Sequence, residues 1–178
     1  MTILGIPGSL RAGSHNAQLL RLAAEELPEG VELVVFDGLA EIPAFDQDLE
    51  DLAPDAVDAL KAAIADADAV LIATPEYNGS IPGALKNALD WVSRPIAGSP
   101  IRRKPVAVIG ASTSAFGAVW AQRELKKVLG VMGARVLDVE LPVAKADRAL
   151  LDDEALVEGL ARVASELVAA ADVERIAA

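Results

Sequence analysis

Three short segments carry most of the side chains in this sequence that could bind a ligand. They read GSLRAGSHN at residues 8–16, PEYNGSIPG at 75–83 and GASTSAFG at 110–117. The first contains Arg11, whose guanidinium fork suits a phosphate, beside the short polar side chains of Ser9, Ser14 and Asn16. Residue types in this pattern favour the binding of an anion.

The first segment matches neither familiar phosphate signature, since it contains no GxxxxGK[ST] and no GxGxxG. It leads into a predicted helix, whose free N–H groups and positive dipole end favour an anion. Another interpretation is that Ser14 or Asn16 only caps this helix and that Arg11 is solvated.

The second segment places the only tyrosine, Tyr77, where it could border a ligand. Asn78-Gly79 is a turn signal and can present backbone amides to a ligand edge. The alternative is an ordinary turn between a strand and a helix, with Ser80 as the cap and Tyr77 partly buried.

Small residues in the third segment, 111–114, would let a flat ligand approach the backbone. Phe116 and Trp120 follow closely. Either could border a substrate pocket, but we expect them to pack against the sheet, as aromatic side chains here more often do.

The residue inventory excludes several kinds of chemistry. There is no cysteine, and His15 is the only histidine. Thiolate nucleophiles, iron–sulfur clusters and multi-histidine zinc sites are therefore excluded. A Ser-His-Asp triad could use only His15 as its base. The net charge of −11 argues against nucleic-acid or anionic-membrane surfaces. An enzyme of this composition would take its chemistry from a bound cofactor.

Short apolar runs alternate with amphipathic stretches along the chain. Strands are predicted at 2–6, 31–36, 69–74, 105–110 and 135–141. Helices are predicted at about 16–27, 54–66, 81–93, 117–131 and 152–171. Five such units indicate an α/β fold, a flavodoxin-like doubly wound five-stranded parallel sheet in the order 2-1-3-4-5 with helices on both faces.

In such a sheet the three polar segments follow strands one, three and four and should meet at the carboxyl edge. The basic cluster 102–104 precedes strand four, so we expect it at the opposite end, solvated or facing another subunit. The stripe Leu85, Leu89 and Val92, with Trp91, is expected in the core. We interpret residues 1–178 as one domain, and the lack of a targeting or membrane segment predicts a cytoplasmic protein.

Together, GSLRAGSHN, PEYNGSIPGALKNALDW and GASTSAFGAVWAQ resemble the NADPH-dependent FMN reductase family, in order and in register, from the first strand to about residue 140. The resemblance implies bound FMN, with NADPH or NADH as co-substrate and a small electron acceptor such as a quinone, free flavin, azo compound or metal oxyanion. It implies no catalytic side chain and no metal. By analogy, the residues around the phosphate are Ser9, Arg11, Ser14, His15 and Asn16. Those beside the isoalloxazine are Glu76, Tyr77, Asn78, Gly79, Ser80 and Ser112.

Alternative functions are a flavodoxin-type electron carrier and a non-catalytic flavin-binding module. A phosphatase of the low-molecular-weight type is disfavoured because the first loop has no cysteine. The resemblance further implies a homodimer or homotetramer.

Overall fold

A computed structural model describes residues 1–177, apart from the side chains of residues 149, 151, 152 and 177. The strands are β1 (Thr2–Pro7), β2 (Glu32–Val35), β3 (Ala69–Ala73), β4 (Pro105–Ala111), β5 (Arg135–Val136) and β6 (Pro142–Val143). The helices are α1 (His15–Glu25), α2 (Asp55–Asp66), α3 (Gly83–Val92), α4 (Val119–Val131), α5 (Ala146–Asp152) and α6 (Glu154–Ala177). Short 3₁₀ turns lie at Gly38–Glu41, Gln47–Leu52 and Ile96–Gly98.

The strands form one parallel sheet in the order β2-β1-β3-β4-β5, with β6 also pairing with β4. In the central pairs, Ile3 lies opposite Ala69 and Val70 opposite Val106. The predicted strand order is confirmed. Strand β1 lies between β2 and β3. The strand order therefore runs in one direction from β1 to β2 and in the other from β1 to β3. Sheets of this kind bind ligands at the boundary between β1 and β3, where the order reverses.

Both faces of the sheet are covered, and every residue of β3 and β4 is buried. Successive side chains of β3 point to opposite faces of the sheet. Val70 and Ile72 pack towards α2, α3 and α4, while Leu71 and Ala73 pack towards α1 and α6. The predicted core stripe of α3 is confirmed, since its members are at most 3% exposed: Leu85, Leu89, Trp91 and Val92.

The prediction of a single strand at 135–141 is wrong. Two short strands, β5 and β6, each pair with a different part of β4. Leu141 lies between β5 and β6 in the chain. Its amide donates a hydrogen bond of 3.4 Å to Oε1 of Gln122, a residue of α4 that is 1% exposed. This side chain supplies the acceptor that a strand neighbour would otherwise supply.

The prediction of a last helix at about 152–171 is confirmed by α6, which begins at Glu154 and continues to residue 177. The short helix α5, which Asp153 separates from α6, was not predicted. The Asp153 carboxylate accepts hydrogen bonds from the amides of Ala155 (3.0 Å) and Leu156 (3.4 Å), and so caps the start of α6. Although α6 has 24 residues, no helix within residues 1–177 has the length and apolarity needed to cross a membrane.

Candidate active site

The loops after β1, β3 and β4 meet in a cleft of about 310 Å³ at the carboxyl edge of the sheet. Each of the three loops supplies part of its wall. The residues that line the cleft are Ser9, Arg11, Ser14, His15, Asn16, Pro75, Glu76, Tyr77, Ala111, Ser112 and Thr113. Three predicted site residues, Asn78, Gly79 and Ser80, do not line it.

The first loop is fixed at both ends. Its Gly8 amide donates to the Ala73 carbonyl of β3 at 2.8 Å. At the other end Ser14 is the N-cap of α1, and its Oγ accepts from the Ala17 amide at 3.2 Å. Ser14 therefore caps the helix, as the alternative interpretation held, and it also lines the cleft. Arg11 is exposed between these anchors, beside the positive end of α1.

Asn16 is 2% exposed and joins this loop to the end of β4. Its Nδ2 donates to the Ala111 carbonyl at 3.0 Å, and its Oδ1 accepts from the Ala111 amide at 2.9 Å. The side chain thus satisfies both backbone groups of a residue that lines the cleft. Sequence reasoning missed this contact because the partners are 95 positions apart.

The second loop is a tight hairpin. Tyr77 and Ser80 exchange backbone hydrogen bonds of 3.0 and 3.1 Å, and the two residues between them have positive φ, 55° at Asn78 and 76° at Gly79. This is the geometry of a type I′ turn, which Asn-Gly favours. The predicted turn is confirmed, and it leaves the Tyr77 side chain 52% exposed.

Glu76 connects the second loop with α4. Its Oε2 accepts hydrogen bonds from the amides of Trp120 (3.0 Å) and Ala121 (3.2 Å) in the first turn of that helix. The N-cap residue, Ala118, has no side-chain acceptor to offer. Glu76 therefore caps α4 from another loop, and its negative charge lies at the positive end of the helix. No local pattern around Glu76 indicates this role, because the helix that it caps begins more than 40 residues later.

The third loop is tied to β6 by one backbone hydrogen bond, and a second hydrogen bond lies within the loop. The Ser112 amide donates to the Val143 carbonyl of β6 at 3.0 Å, and its Oγ lies 3.1 Å from the Ser114 Oγ. Its wall of the cleft consists of the small residues Ala111, Ser112 and Thr113.

The expectation that Phe116 and Trp120 pack against the sheet is wrong. They are 57% and 46% exposed. Their ring centroids lie 4.7 Å apart, with 54° between the ring planes.

The basic cluster lies at the opposite end of the sheet, as predicted. Arg102 and Arg103 are exposed there, whereas Lys104 is half-buried. Lys104 Nζ donates to the carbonyls of Ala65 (3.2 Å) and Ala67 at the end of α2. Burial lowers the pKa of Lys104, against the opposing charge of Asp68. Lys104 is therefore a structural cap.

Comparison with known proteins gives the class of protein that this fold and cleft define. The sequence profile of the NADPH-dependent FMN reductase family matches residues 1–148. This chain belongs to that family. The predicted family, flavodoxin-like fold and FMN-dependent oxidoreductase class are confirmed.

Individual relatives agree with this assignment. The chain is 41% identical over 161 residues to an NAD(P)H-dependent FMN reductase of Pseudomonas aeruginosa, covering 86% of each chain. It is 39% identical over 152 residues to a 2-hydroxy-1,4-benzoquinone reductase of a Burkholderia species, covering 85% of this chain and 82% of that one. The solved structure of the flavoenzyme NAD(P)H:(acceptor) oxidoreductase FerB from Paracoccus denitrificans superposes with a TM-score of 0.84 at 34% identity, over 96% and 97% of the two chains.

The residues present fit FMN. The cleft offers an exposed guanidinium beside a helix N-terminus for a phosphate, and a wall of small side chains facing the Tyr77 hairpin for a flat ring. The donor set at the first loop is neutral or cationic, as a phosphate requires.

Proposed function

We propose that this chain is an NAD(P)H:quinone oxidoreductase that holds its FMN in the three-loop cleft. The balanced reaction is NAD(P)H + H⁺ + quinone → NAD(P)⁺ + hydroquinone. FMN, when bound, supplies the group that accepts a hydride from the nicotinamide and passes it to the acceptor. The observation that carries the proposal is the cleft itself, which combines an anion-binding loop with a wall suited to a flat ring.

The phosphate end is proposed to be the first loop. Arg11 supplies a charged fork, and Ser9 and His15 supply further polar groups on the same wall. The first-turn amides of α1 have no intrahelical acceptor. Asn16 is proposed to act indirectly, since its amide group is bonded to Ala111.

The ring end is proposed to lie between the second and third loops. Tyr77 and the small residues 111–113 form its walls. Asn78, Gly79 and Ser80 contribute by shaping the turn that presents Tyr77. Glu76 keeps this loop joined to α4. The role of these residues is to orient the flavin and leave one side accessible to substrates.

A quinone is the proposed acceptor because it is flat and uncharged. Its binding needs no cationic side chain besides Arg11, which is proposed to bind the FMN phosphate. Similarity to the Burkholderia 2-hydroxy-1,4-benzoquinone reductase supports this choice.

The test is steady-state oxidation of NADPH and of NADH by the FMN-loaded protein, with 1,4-benzoquinone as acceptor and hydroquinone measured by chromatography. We expect one hydroquinone per nicotinamide oxidised, and no turnover when FMN is removed. Turnover with oxygen or free flavin but not with quinones would contradict the proposed acceptor.

We further propose a cytoplasmic homodimer or homotetramer. Reduced nicotinamide nucleotides are supplied inside cells, which supports the location. Ile96 and Val131 are 64% and 84% exposed and line a groove of about 370 Å³ beside α3 and α4, which supports self-association. Light scattering at micromolar concentration should show at least a dimer; a monomer would contradict this.

A further inference from the structure

The aromatic residues of this chain are distributed unevenly between core and surface. The sequence has three phenylalanines, two tryptophans and one tyrosine. Phe36 and Phe45 pack against the core, and Trp91 is fully buried. The other three, Tyr77, Phe116 and Trp120, are about half exposed, and all belong to the second loop or to the segment that follows β4. Large apolar side chains are normally stabilised by burial, and adjacent exposed ones mark a binding surface. Phe116 and Trp120 form such a pair, with ring centroids 4.7 Å apart.

The backbone holds Phe116 and Trp120 in this exposed position. Gly117 and Ala118, which lie between them, have φ of 57° and 59°. Ala118 is fully buried although its left-handed conformation is unfavourable for an alanine. A Cβ at Gly117 would collide with the backbone of Pro142 and Val143. The close-packed backbone therefore imposes the bend that brings the two rings together.

Short hydrogen-bonded connections join this pair to the cleft. The Trp120 amide donates to Glu76, which lines the cleft. The Phe116 amide donates to the Ser114 Oγ at 3.4 Å, and that hydroxyl lies beside the hydroxyl of Ser112, which also lines the cleft. We define Phe116 and Trp120 as the aromatic shelf. Neither residue lines the cleft itself, but these hydrogen bonds tie both of them to residues that do.

We propose that the aromatic shelf is a specificity determinant that selects flat, apolar acceptors by stacking on their rings. The inference rests on the proposed function and deepens it by naming residues that distinguish a ring-shaped acceptor from a small inorganic one. Aromatic pairs gain from offset or edge contacts beyond simple burial, so a bicyclic quinone benefits where ferricyanide does not. The shelf takes no part in the transfer of electrons or protons.

The first test compares two acceptors in the same FMN-loaded variants. Phe116→Ala with Trp120→Ala should lower kcat/KM for 1,4-naphthoquinone about tenfold, mainly through KM, and leave ferricyanide reduction within about twofold. Trp120→Phe should retain most of the naphthoquinone activity because it keeps a ring. The matched control is Val173→Ala, an apolar residue of α6 that is 54% exposed. An equal loss with both acceptors, or no loss with either, would overturn the proposal.

The second test measures binding without turnover. Saturation-transfer NMR of 1,4-naphthoquinone with the oxidised, FMN-loaded protein, in the absence of NAD(P)H, should give a signal that the double variant loses and the Val173→Ala control keeps. If the parent protein turns over neither acceptor, the proposed function fails, whereas this signal still reports on the shelf. A shelf variant that dissociates an oligomer in light scattering would identify the surface as a subunit contact and overturn the proposal.

Discussion

At the scale of single residues, Arg11 and Asn16 belong to one loop but have opposite surroundings. Arg11 is exposed and lines the cleft. Asn16 is buried, and both the nitrogen and the oxygen of its side-chain amide are hydrogen-bonded to the backbone of Ala111. The first is therefore free to bind a ligand, whereas the second holds the cleft together. Substitutions at the two positions should separate flavin affinity from stability.

Arg11→Ala should weaken FMN binding by about 10–150-fold, because a charged hydrogen bond contributes about 1.5–3 kcal/mol. The melting temperature of the flavin-free protein should stay within about 2 °C of the parent, since the side chain is exposed. Fluorescence titration with FMN measures the affinity. Riboflavin, which has no phosphate, is the control ligand, and Arg21→Ala on the exposed side of α1 is the control variant. An equal loss for riboflavin would refute the phosphate contact.

Asn16→Ala should lower the free energy of unfolding by about 2–6 kcal/mol even without FMN. The substitution leaves the amide and carbonyl of Ala111 without their partners, and each buried unpaired group costs about 1–3 kcal/mol. Urea denaturation of the flavin-free protein measures the change. Gln18→Ala, on the same helix and half-buried, should cost less than about 1 kcal/mol. A loss at Asn16 no larger than this control would show that the contact is not needed for stability.

At the scale of elements, Glu76 makes two loops act as one unit. It belongs to the loop after β3, yet it caps α4, which follows β4. Glu76→Ala should cost about 1–2 kcal/mol in urea denaturation, as loss of a charged cap does. Glu124→Ala, on the exposed side of α4, is the matched control and should cost less than about 0.5 kcal/mol. No difference between the two variants would contradict the capping role.

Two glycines near α4 should respond oppositely to alanine. Gly117 has φ of 57° and meets the backbone of residues 142–144, so Gly117→Ala should destabilise the protein by more than about 2 kcal/mol. Gly130 lies within α4, and a Cβ added there would meet no atom within 4 Å, so Gly130→Ala should stabilise the protein by about 0.5–1 kcal/mol. Thermal and urea denaturation measure both. A tolerated alanine at Gly117 would mean that β6 can move away from the loop.

At the scale of the whole molecule, the end of the sheet opposite the cleft carries Lys104, a titratable residue whose Nζ caps the end of α2. Burial lowers the pKa of Lys104 below its ordinary 10.5, against the raising effect of Asp68, Asp66 and Glu174. Between the lowered value and 10.5 the unfolded chain binds more protons than the folded one, so this group makes stability rise with pH. The parent should gain stability relative to Lys104→Met as pH rises through the alkaline range towards 10.5. Urea denaturation across this range should show the trend; an unchanged or reversed difference would refute it.

Local patterns in the sequence were enough to predict the sheet order, because β3 and β4 are continuous apolar runs between amphipathic helices. The same patterns brought three polar loops to one edge. What they could not predict depends on contacts between distant residues. Examples are the Asn16–Ala111 pair, the cap that Glu76 gives to α4, and the Gln122–Leu141 bond beside the break between β5 and β6. The exposure of Phe116 and Trp120 likewise follows from the left-handed backbone between them.

The central claim is that the three-loop cleft binds FMN and that the bound flavin is reduced directly by a nicotinamide nucleotide. The most direct measurement is the visible spectrum of the purified protein with FMN, recorded anaerobically before and after NADPH and again after 1,4-benzoquinone. We predict protein-perturbed flavin bands that bleach promptly with NADPH and return with the quinone. Flavin that does not bind, or that binds but stays oxidised until a separate reductase is added, would contradict the claim.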